Sequence, residues 1–273
     1  MKLLFSDIDG TLILKDQTIS PAVAEALDKM ARAGHGLVLS SGRPVDSIMA
    51  VFKMIENRVP TPFARTLIIA GNGAQIYDRT AGEMLFEKRV PIPYVDKLQD
   101  LAESMEVHLQ TYTDTHIICI REDAESERYR TKVILPLQIS PRLSDALDKP
   151  PCKLLALSVK GSEALMPFRT RVGELFGDVL HTLFSGEGYL EIVAKDVDKG
   201  IALSYIAEKF GVAMEDTYAV GDYDNDLSMI LAAGNGYAMA NATESVKAAA
   251  PHVTRKANAE DGILEVLSAM MTS

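Results

Sequence analysis

Cysteine is scarce in this 273-residue chain, which contains only Cys119 and Cys152. They form neither a CxxC pair nor a disulfide framework, so a reducing, cytoplasmic setting is expected. Long apolar runs are also missing, because no stretch approaches the roughly 18 apolar residues that a membrane span needs. The apolar segment after Lys2 ends at Asp7 and is too short for a signal peptide. We therefore expect a soluble protein with no membrane partner.

Positive charge is in short supply as well. The chain has 28 Lys and Arg against 38 Asp and Glu, which gives a formal net charge of −10. A nucleic-acid-binding surface needs a basic patch, so nucleic acid is not an expected partner. Several catalytic motifs are absent from the sequence, namely the P-loop, a complete GxGxxG, HExxH and GxSxG. These absences exclude the enzyme classes that depend on those motifs.

The first 80 residues alternate between short apolar runs and amphipathic segments. We predict strands over 2–6, 36–40 and 66–70, and helices over 21–33 and 44–55. This order predicts a parallel sheet with helical crossovers. The same rhythm returns after residue 188, whereas strands and helices do not simply alternate in between. We predict an α/β protein with a Rossmann-like parallel-sheet core domain of residues 1–81 and 187–273, and an inserted α+β domain of residues 82–186.

Within the inserted segment, the sequence predicts two strands that meet at Asp114 and a helix over 124–134. Further strands are expected over 153–160 and 179–184. The strand over 189–194 is assigned to the first domain. Prolines at four positions mark loops between these elements, namely Pro136, Pro141, Pro150 and Pro151.

Paired carboxylates follow the first predicted strand, at Asp7 and Asp9. In an open parallel sheet, ligands bind beyond the carboxyl ends of the strands. Alternate residues of an extended segment point the same way, and Gly10 allows the chain to turn sharply after them. Taken alone, this pair fits a solvated acidic turn as well as a reactive site.

A second acidic cluster follows the predicted strand over 217–220. It contains Asp222, Asp224 and Asp226 within the segment GDYDND. Crowded carboxylates have raised pKa values unless a cation is bound, and hard oxygen ligands favour Mg²⁺ or Ca²⁺. An EF-hand is excluded, because Leu227 stands at its glycine position and Ala233 at its glutamate position.

Two further candidate sites lie at predicted helix starts. Ser41, Gly42 and Arg43 offer a hydroxyl and a flexible backbone beside a helix N-terminus, a combination that favours an anion. Lys199 lies in the first turn of a predicted helix, where its charge opposes the macrodipole. Each feature alone fits an ordinary helix start. Together with the carboxylates they supply a nucleophile, an acid/base, Mg²⁺ ligands and anion stabilisers, the components of phosphoryl transfer to aspartate.

The ordered set DxDGT, SGR, a distant KG and GDxxND resembles the haloacid dehalogenase superfamily of phosphatases. The segments NGA at 72–74 and AMANA at 238–242 resemble its Cof-like branch with an α+β (type IIB) cap, and the resemblance covers essentially the whole chain. It differs slightly from that pattern, because Ser41 stands where threonine is common. The resemblance implies a Mg²⁺-dependent phosphatase of small phosphorylated metabolites, such as sugar phosphates, whose cap closes over the site.

The resemblance also implies a role for each motif residue. Asp7 would be the nucleophile that forms an aspartyl-phosphate, and Asp9 would act as general acid and then as general base. Mg²⁺ would contact Asp7, the main-chain carbonyl of Asp9 and Asp222, with Asp226 completing or supporting the metal shell. The catalytic set would also include Ser41 and Lys199. The candidate contacts to the phosphoryl group or to the rest of the substrate are Ser41, Gly42, Arg43, Asn72, Lys199 and Asn225.

Two alternatives remain open at this stage. A phosphomutase of the same superfamily would share the aspartyl-phosphate but return the phosphoryl group to a sugar. A sugar-phosphate-binding protein without catalytic activity would need none of the reactive groups. The complete set of catalytic residues in this sequence argues against the second alternative.

Overall fold

A computed structural model of the chain describes residues 1–113, 115–130 and 135–272. The described chain divides into two compact units, one formed by Met1–Phe86 together with the residues from Asp198 onward, the other by Glu87–Val197. The predicted strand junction at Asp114 and the predicted helical residues 131–134 lie outside the described residues. In the described part of the chain, no helix combines the length and the apolar character needed to cross a membrane.

The strands and helices are numbered in chain order. The strands are β1 (Leu3–Asp7), β2 (Gly36–Ser40), β3 (Thr66–Ala70), β4 (Gln75–Asp78), β5 (Glu83–Glu87), β6 (His108–Tyr112), β7 (Ile117–Cys119), β8 (Leu137–Ile139), β9 (Lys153–Leu157), β10 (Leu180–Gly186), β11 (Tyr189–Ala194), β12 (Thr217–Gly221), β13 (Asn235–Ala238) and β14 (His252–Val253). The helices are α1 (Pro21–Arg32), α2 (Val45–Glu56), α3 (Ile92–Ser104), α4 (Ala124–Arg130), α5 (Met166–Phe176), α6 (Lys199–Phe210), α7 (Leu227–Ala232), α8 (Glu244–Ala249) and α9 (Ile263–Thr272).

The first unit is built on a sheet with the strand order β14-β13-β12-β1-β2-β3-β4-β5. The strands from β14 to β3 pair in parallel, and β4 returns antiparallel to β3. The chain leaves the central strand β1 towards β2 on one side and reaches β12 on the other. The carboxyl end of β1 is therefore a topological switch point, the place where open α/β sheets bind ligands.

Helices cover both faces of this sheet, which explains why β1, β2 and β3 are buried along their whole length. One face packs against α1, α2 and α9, and Leu27, Phe52 and Leu267 belong to its apolar core. The other face packs against α6 and α7, with Leu203 and Met229 in its core. Alternate residues of each strand contribute to the two cores, as the pleat of a strand requires.

Local signals in the sequence place the helix starts. Ser20 caps α1, because its hydroxyl accepts a hydrogen bond from Val23 N at 3.1 Å, and Pro21 occupies the first turn. Asp198 caps α6 by accepting from Ile201 N at 2.7 Å. These contacts satisfy amides that the first helical turn leaves unpaired.

The second unit contains a sheet with the strand order β10-β11-β9-β6-β7-β8, in which only the β7–β8 pair is parallel among the described pairings. Helix α3 contacts β6, and α5 contacts β10. Within this sheet, Lys153 and Glu191 form a buried ion pair at 2.8 Å. The unit therefore has the mixed, mainly antiparallel arrangement of an α+β fold.

The predicted α/β fold with a central parallel sheet and an α+β insertion is confirmed. One element lies elsewhere than the sequence suggested. The strand over 189–194 forms β11, which pairs with β9 and β10 of the second unit. A hydrophobic run specifies a buried strand, but it does not specify which of two sheets the strand joins.

Candidate active site

The DxD, SGR and GDxxND motifs meet at the carboxyl end of the first unit's sheet. Asp7 is the last residue of β1, and it lies opposite Ser40, the last residue of β2. On the other side of β1, Ser6 lies opposite Val220 of β12, so the loop that follows Gly221 leaves the sheet at the same edge. The parallel register thus brings together segments that are up to about 200 residues apart in sequence.

Lys199 lies at the centre of this arrangement and is completely buried. Its ammonium donates hydrogen bonds to Asp7 Oδ1 at 2.7 Å, to Asp226 Oδ1 at 2.5 Å and to the main-chain carbonyl of Ser40 at 3.1 Å. Burial by itself lowers the pKa of Lys199, but the charges of Asp226 and Asp7 outweigh it and raise this pKa above its ordinary value. Lys199 is therefore held as a cation against the two carboxylates.

The glycine after Lys199 is required by the packing of the helix start. A Cβ atom on Gly200 would overlap the main-chain carbonyl of Ser228, and the Gly200 amide donates to Ser228 Oγ at 3.1 Å. The close approach of α6 to α7 thus fixes the position from which Lys199 extends. This explains why glycine follows the lysine in the KG motif.

Asp7, Asp222 and Asp226 each offer a carboxylate oxygen, and these oxygens lie within 4.8 Å of one another. Burial, followed by the charge of Asp226, raises the pKa of Asp7 well above its ordinary value. Burial and the charge of Asp226 also raise the pKa of Asp222 to about 7. A bound cation would favour the ionised form of each group, and an all-oxygen donor set suits a hard divalent ion. The cluster therefore fits a divalent metal.

Asp226 organises the loop that carries Asp222. Its Oδ2 atom accepts hydrogen bonds from the amides of Asp222 at 3.0 Å and Tyr223 at 3.1 Å, while its Oδ1 atom accepts from Lys199. Both carboxylate oxygens are thus engaged by protein donors. Asp226 holds the acidic loop and the lysine in fixed positions relative to each other.

The loop after β1 contacts the same acidic group. Thr11 Oγ1 donates to Asp222 Oδ1 at 3.1 Å. Gly10 has a φ of +79°, and a Cβ atom there would overlap the carboxylate of Asp222. Glycine at this position thus allows both the left-handed turn and the close approach of the two loops.

Asp9 is placed differently from Asp7. Its side chain is 52% exposed and forms a bidentate pair with Arg43, whose Nε donates to Oδ2 at 2.8 Å and whose Nη2 donates to Oδ1 at 2.5 Å. The same Nη2 donates to Gln17 Oε1 at 2.9 Å. Arg43, which the sequence singled out as a substrate contact, thus pairs with the candidate acid/base in this structure.

Asn72 and Asn225 form a buried pair beside the SGR loop. Asn225 Nδ2 donates to Asn72 Oδ1 at 3.0 Å, while the main-chain N–H of Asn72 donates to the carbonyl of Ser41 at 3.0 Å. Asn72 is completely buried, and Ser41 and Asn225 are nearly so. The pair therefore links the turn after β3 to the loops that carry Ser41 and Asp226.

The structure brings Asp7, Lys199, Asp222 and Asp226 into one cluster, whereas Asp9 lies in a separate pair with Arg43. Sequence reasoning did not assign roles to two asparagines that hold the loop after β1. Asn241 Nδ2 donates to the carbonyl of Gly10 at 2.9 Å, and Asn258 Nδ2 donates to the carbonyl of Thr11 at 2.8 Å. Asn241 lies in the AMANA segment, which the family resemblance had singled out. No motif in the sequence marked Asn258 as a site residue.

Comparison with known proteins gives consistent results. A family model described as haloacid dehalogenase-like hydrolase matches residues 4–267. The chain is 27% identical over 281 residues to the 5-amino-6-(5-phospho-D-ribitylamino)uracil phosphatase YitU of Bacillus subtilis, covering 97% of this chain and 96% of that protein. A solved haloacid dehalogenase-like hydrolase from Bacteroides thetaiotaomicron matches with a TM-score of 0.82 at 30% identity, covering 98% of this chain and 99% of that one. The subclass IIB sugar phosphatase BT4131 shares the fold, with a TM-score of 0.80 at 23% identity and 99% coverage of both chains.

Proposed function

Because the chain belongs to the family of haloacid dehalogenase-like hydrolases, we propose that it hydrolyses a small phosphorylated metabolite through an aspartyl-phosphate on Asp7, with the help of Mg²⁺. The broader assignment as a phosphatase of the Cof type follows from the family and from the named relatives. The observation that carries the proposed mechanism is the contact of Asp7 with Lys199 beside an acidic cluster. Such a site combines a nucleophile, a fixed cation and metal ligands.

The hydrogen bond from Lys199 distinguishes the two oxygens of Asp7. Oδ1 accepts from the ammonium at 2.7 Å, so we assign the attack on phosphorus to Oδ2. Asp9 gives a proton to the leaving-group oxygen as its bond to phosphorus breaks. It then takes a proton from the water that attacks the aspartyl-phosphate, which frees Asp7 and releases phosphate.

The donors around Asp7 would hold the phosphoryl oxygens. We assign this role to the Ser41 hydroxyl, the Gly42 amide, Lys199 and Asn225. Ser41 and Gly42 lie just before α2, where main-chain N–H groups and the helix dipole favour an anion. A buried cation and preorganised donors stabilise the charge that develops during transfer better than mobile water does.

Asp7, Asp222 and the main-chain carbonyl of Asp9 would hold Mg²⁺, and Asp226 would complete or support this shell. The fit rests on the oxygen donor set and on the raised pKa values of Asp7 and Asp222. When bound, the ion would supply positive charge to the phosphoryl oxygens. The acidic net charge of the chain is thus compatible with a phosphorylated substrate.

We assign catalysis to the first unit and selection of the leaving group to the second unit, which would act as the cap. The candidate substrates are sugar phosphates and phosphorylated cofactors or their precursors. The Bacillus subtilis relative, whose name gives a phosphorylated ribityl compound as its substrate, supports this class.

The assignment is tested by phosphate release from a panel of sugar phosphates, nucleotides, pyridoxal phosphate and a generic aryl phosphate. We expect the purified protein to release phosphate with Mg²⁺ present and without any bisphosphate activator. EDTA should abolish the activity, and added Mg²⁺ should restore it. A requirement for a sugar bisphosphate, with transfer to a sugar in place of phosphate release, would favour a phosphomutase.

Metal binding should depend on pH through Asp222. The pKa of Asp222 is raised to about 7 in the metal-free protein. Ionised Asp222 therefore destabilises the metal-free fold, and this free-energy cost grows as pH rises from about 4 and is complete above about 7. Mg²⁺ needs the ionised form, so below pH 7 its affinity should rise about tenfold per pH unit for each proton released. We expect Mg²⁺ to raise Tm more at pH 8 than at pH 5.5, as measured by thermal melts against EDTA.

A matched variant separates this effect from general salt stabilisation. Asp222→Asn removes the titrating carboxylate, so Mg²⁺ should raise its Tm little at either pH. Calorimetry in two buffers of different ionisation enthalpy would count the protons that the wild-type protein releases. An equal Tm increase at pH 5.5 and pH 8 in the wild-type protein would contradict the assignment.

A further inference from the structure

The pair between Asp9 and Arg43 is the contact that the catalytic roles above leave unexplained. Arg43 donates to both oxygens of Asp9, a fork that fixes the plane of the carboxylate as well as its position. Asp9 is half exposed, so without this contact its side chain would be free to occupy several rotamers. A general acid needs a defined orientation towards the leaving group.

The main chain of Arg43 is anchored on both sides. Its amide donates to Ser41 Oγ at 3.2 Å, and its carbonyl accepts from the amide of Gly71 at 3.1 Å. The guanidinium therefore extends from a fixed point next to the candidate anion site. Because its main chain is anchored, Arg43 can hold the Asp9 carboxylate in a defined position.

Gln17 also contacts the guanidinium, since its Oε1 atom accepts from the same Nη2 atom of Arg43 that donates to Asp9. Gln17 has a φ of +63°, in the left-handed region that glutamine rarely adopts. The tight turn that contains it is closed by hydrogen bonds from Gln17 N to Leu14 O and from Leu14 N to Thr18 O. An unfavourable backbone conformation that the surrounding structure maintains is typical of functional sites.

We propose that Arg43, supported by Gln17, is a positioning residue that orients Asp9 for proton transfer. This inference rests on the proposed function. In the first half-reaction the proton of Asp9 passes to the leaving-group oxygen as that oxygen separates from phosphorus and an oxygen of Asp7 bonds to phosphorus. In the second, Asp9 takes a proton from the water that attacks phosphorus, and the bond between phosphorus and Asp7 breaks. Protonated Asp9 keeps a carbonyl oxygen that can accept from Arg43, so a hydrogen bond to Arg43 is available to Asp9 in both forms.

Leaving-group dependence tests this role. The value of kcat/KM reports the steps up to departure of the leaving group, and an alkyl phosphate needs an acid there far more than 4-nitrophenyl phosphate does. We expect Arg43→Gln to lower kcat/KM about 100-fold for an alkyl phosphate and less than about 10-fold for 4-nitrophenyl phosphate. Gln17→Gly, which also relieves the backbone strain, should lower kcat/KM about threefold for the alkyl phosphate and less for 4-nitrophenyl phosphate.

A double-mutant cycle separates positioning from direct phosphate binding. In an Asp9→Asn background, Arg43→Gln should change kcat/KM less than about threefold, because the group it orients is gone. The matched control is Arg79→Gln, which removes a bidentate pair with Glu56 of similar exposure and should leave both substrates unaffected.

The outcomes distinguish this inference from the proposed function. Failure of the wild-type protein to turn over either substrate would overturn the proposed function. An active wild-type protein whose Arg43→Gln variant loses the same factor on both substrates, with effects that multiply in the double variant, would overturn only the positioning role. Partial restoration of alkyl phosphate turnover in Arg43→Ala by free guanidinium would support it.

Discussion

We expect the Asp7→Asn variant to release phosphate from an aryl phosphate at least about 10⁴-fold more slowly than the wild-type protein, because the amide cannot form the covalent intermediate. The substitution keeps an acceptor for Lys199 at the position of Oδ1. It also removes a carboxylate whose pKa is raised by burial and by Asp226, so the metal-free fold should be no less stable at pH 8. The loss of activity is measured by phosphate release, and folding is checked by thermal melts.

Two controls make this prediction specific. Asp224→Asn changes an exposed carboxylate in the same acidic loop, where Thr243 and Ser245 donate to it, and should retain most of the activity. Asp7→Ala excludes slow deamidation of asparagine as a source of residual turnover. Borohydride trapping during turnover should label Asp7 in the wild-type protein only. Full turnover by Asp7→Ala would contradict the nucleophile assignment.

The central strands of the sheet that carries Asp7 could be predicted because each of them is specified locally. β1, β2 and β3 are apolar runs with a turn or helix signal after each, and the start of α1 is marked by Ser20 and Pro21. The short strands β5, β8 and β14 were missed. Each is at most five residues long, lies at a sheet edge and contains no buried residue, so its sequence carries little hydrophobic pattern.

The composition of the candidate site was accessible from sequence for the same reason. Residues that end or directly follow parallel strands are brought together by topology, so Asp7, Ser41 and Asp222 could be grouped from the sequence alone. The individual side-chain pairs could not be derived in this way. The partners Asp9 and Arg43 are 34 positions apart, and Asn72 and Asn225 are 153 apart. Their contacts depend on rotamers and loop geometry, which the pattern of hydrophobic residues does not encode.

Lys199→Met is expected to impair both stability and activity. Methionine fills a similar volume, but it removes the cation that donates to Asp7, Asp226 and the carbonyl of Ser40. The two carboxylates then remain buried without a positive partner. Removing one partner of a buried ionic network costs about 3–5 kcal/mol in unfolding free energy. Loss of the cation beside the phosphoryl site should lower kcat by about 10³-fold. Urea unfolding and phosphate release measure the two effects separately.

A second substitution separates the structural part of this effect from the catalytic part. Lys199→Met with Asp226→Asn removes one of the two uncompensated charges, so it should recover much of the unfolding free energy and none of the activity. The single variant should also be closer to wild-type stability at pH 5 than at pH 8, because Asp7, whose pKa is raised by burial and by the charge of Asp226, can then take up a proton. If the double variant regained activity together with stability, Lys199 would act only through the fold and its assigned role at the phosphoryl group would be wrong.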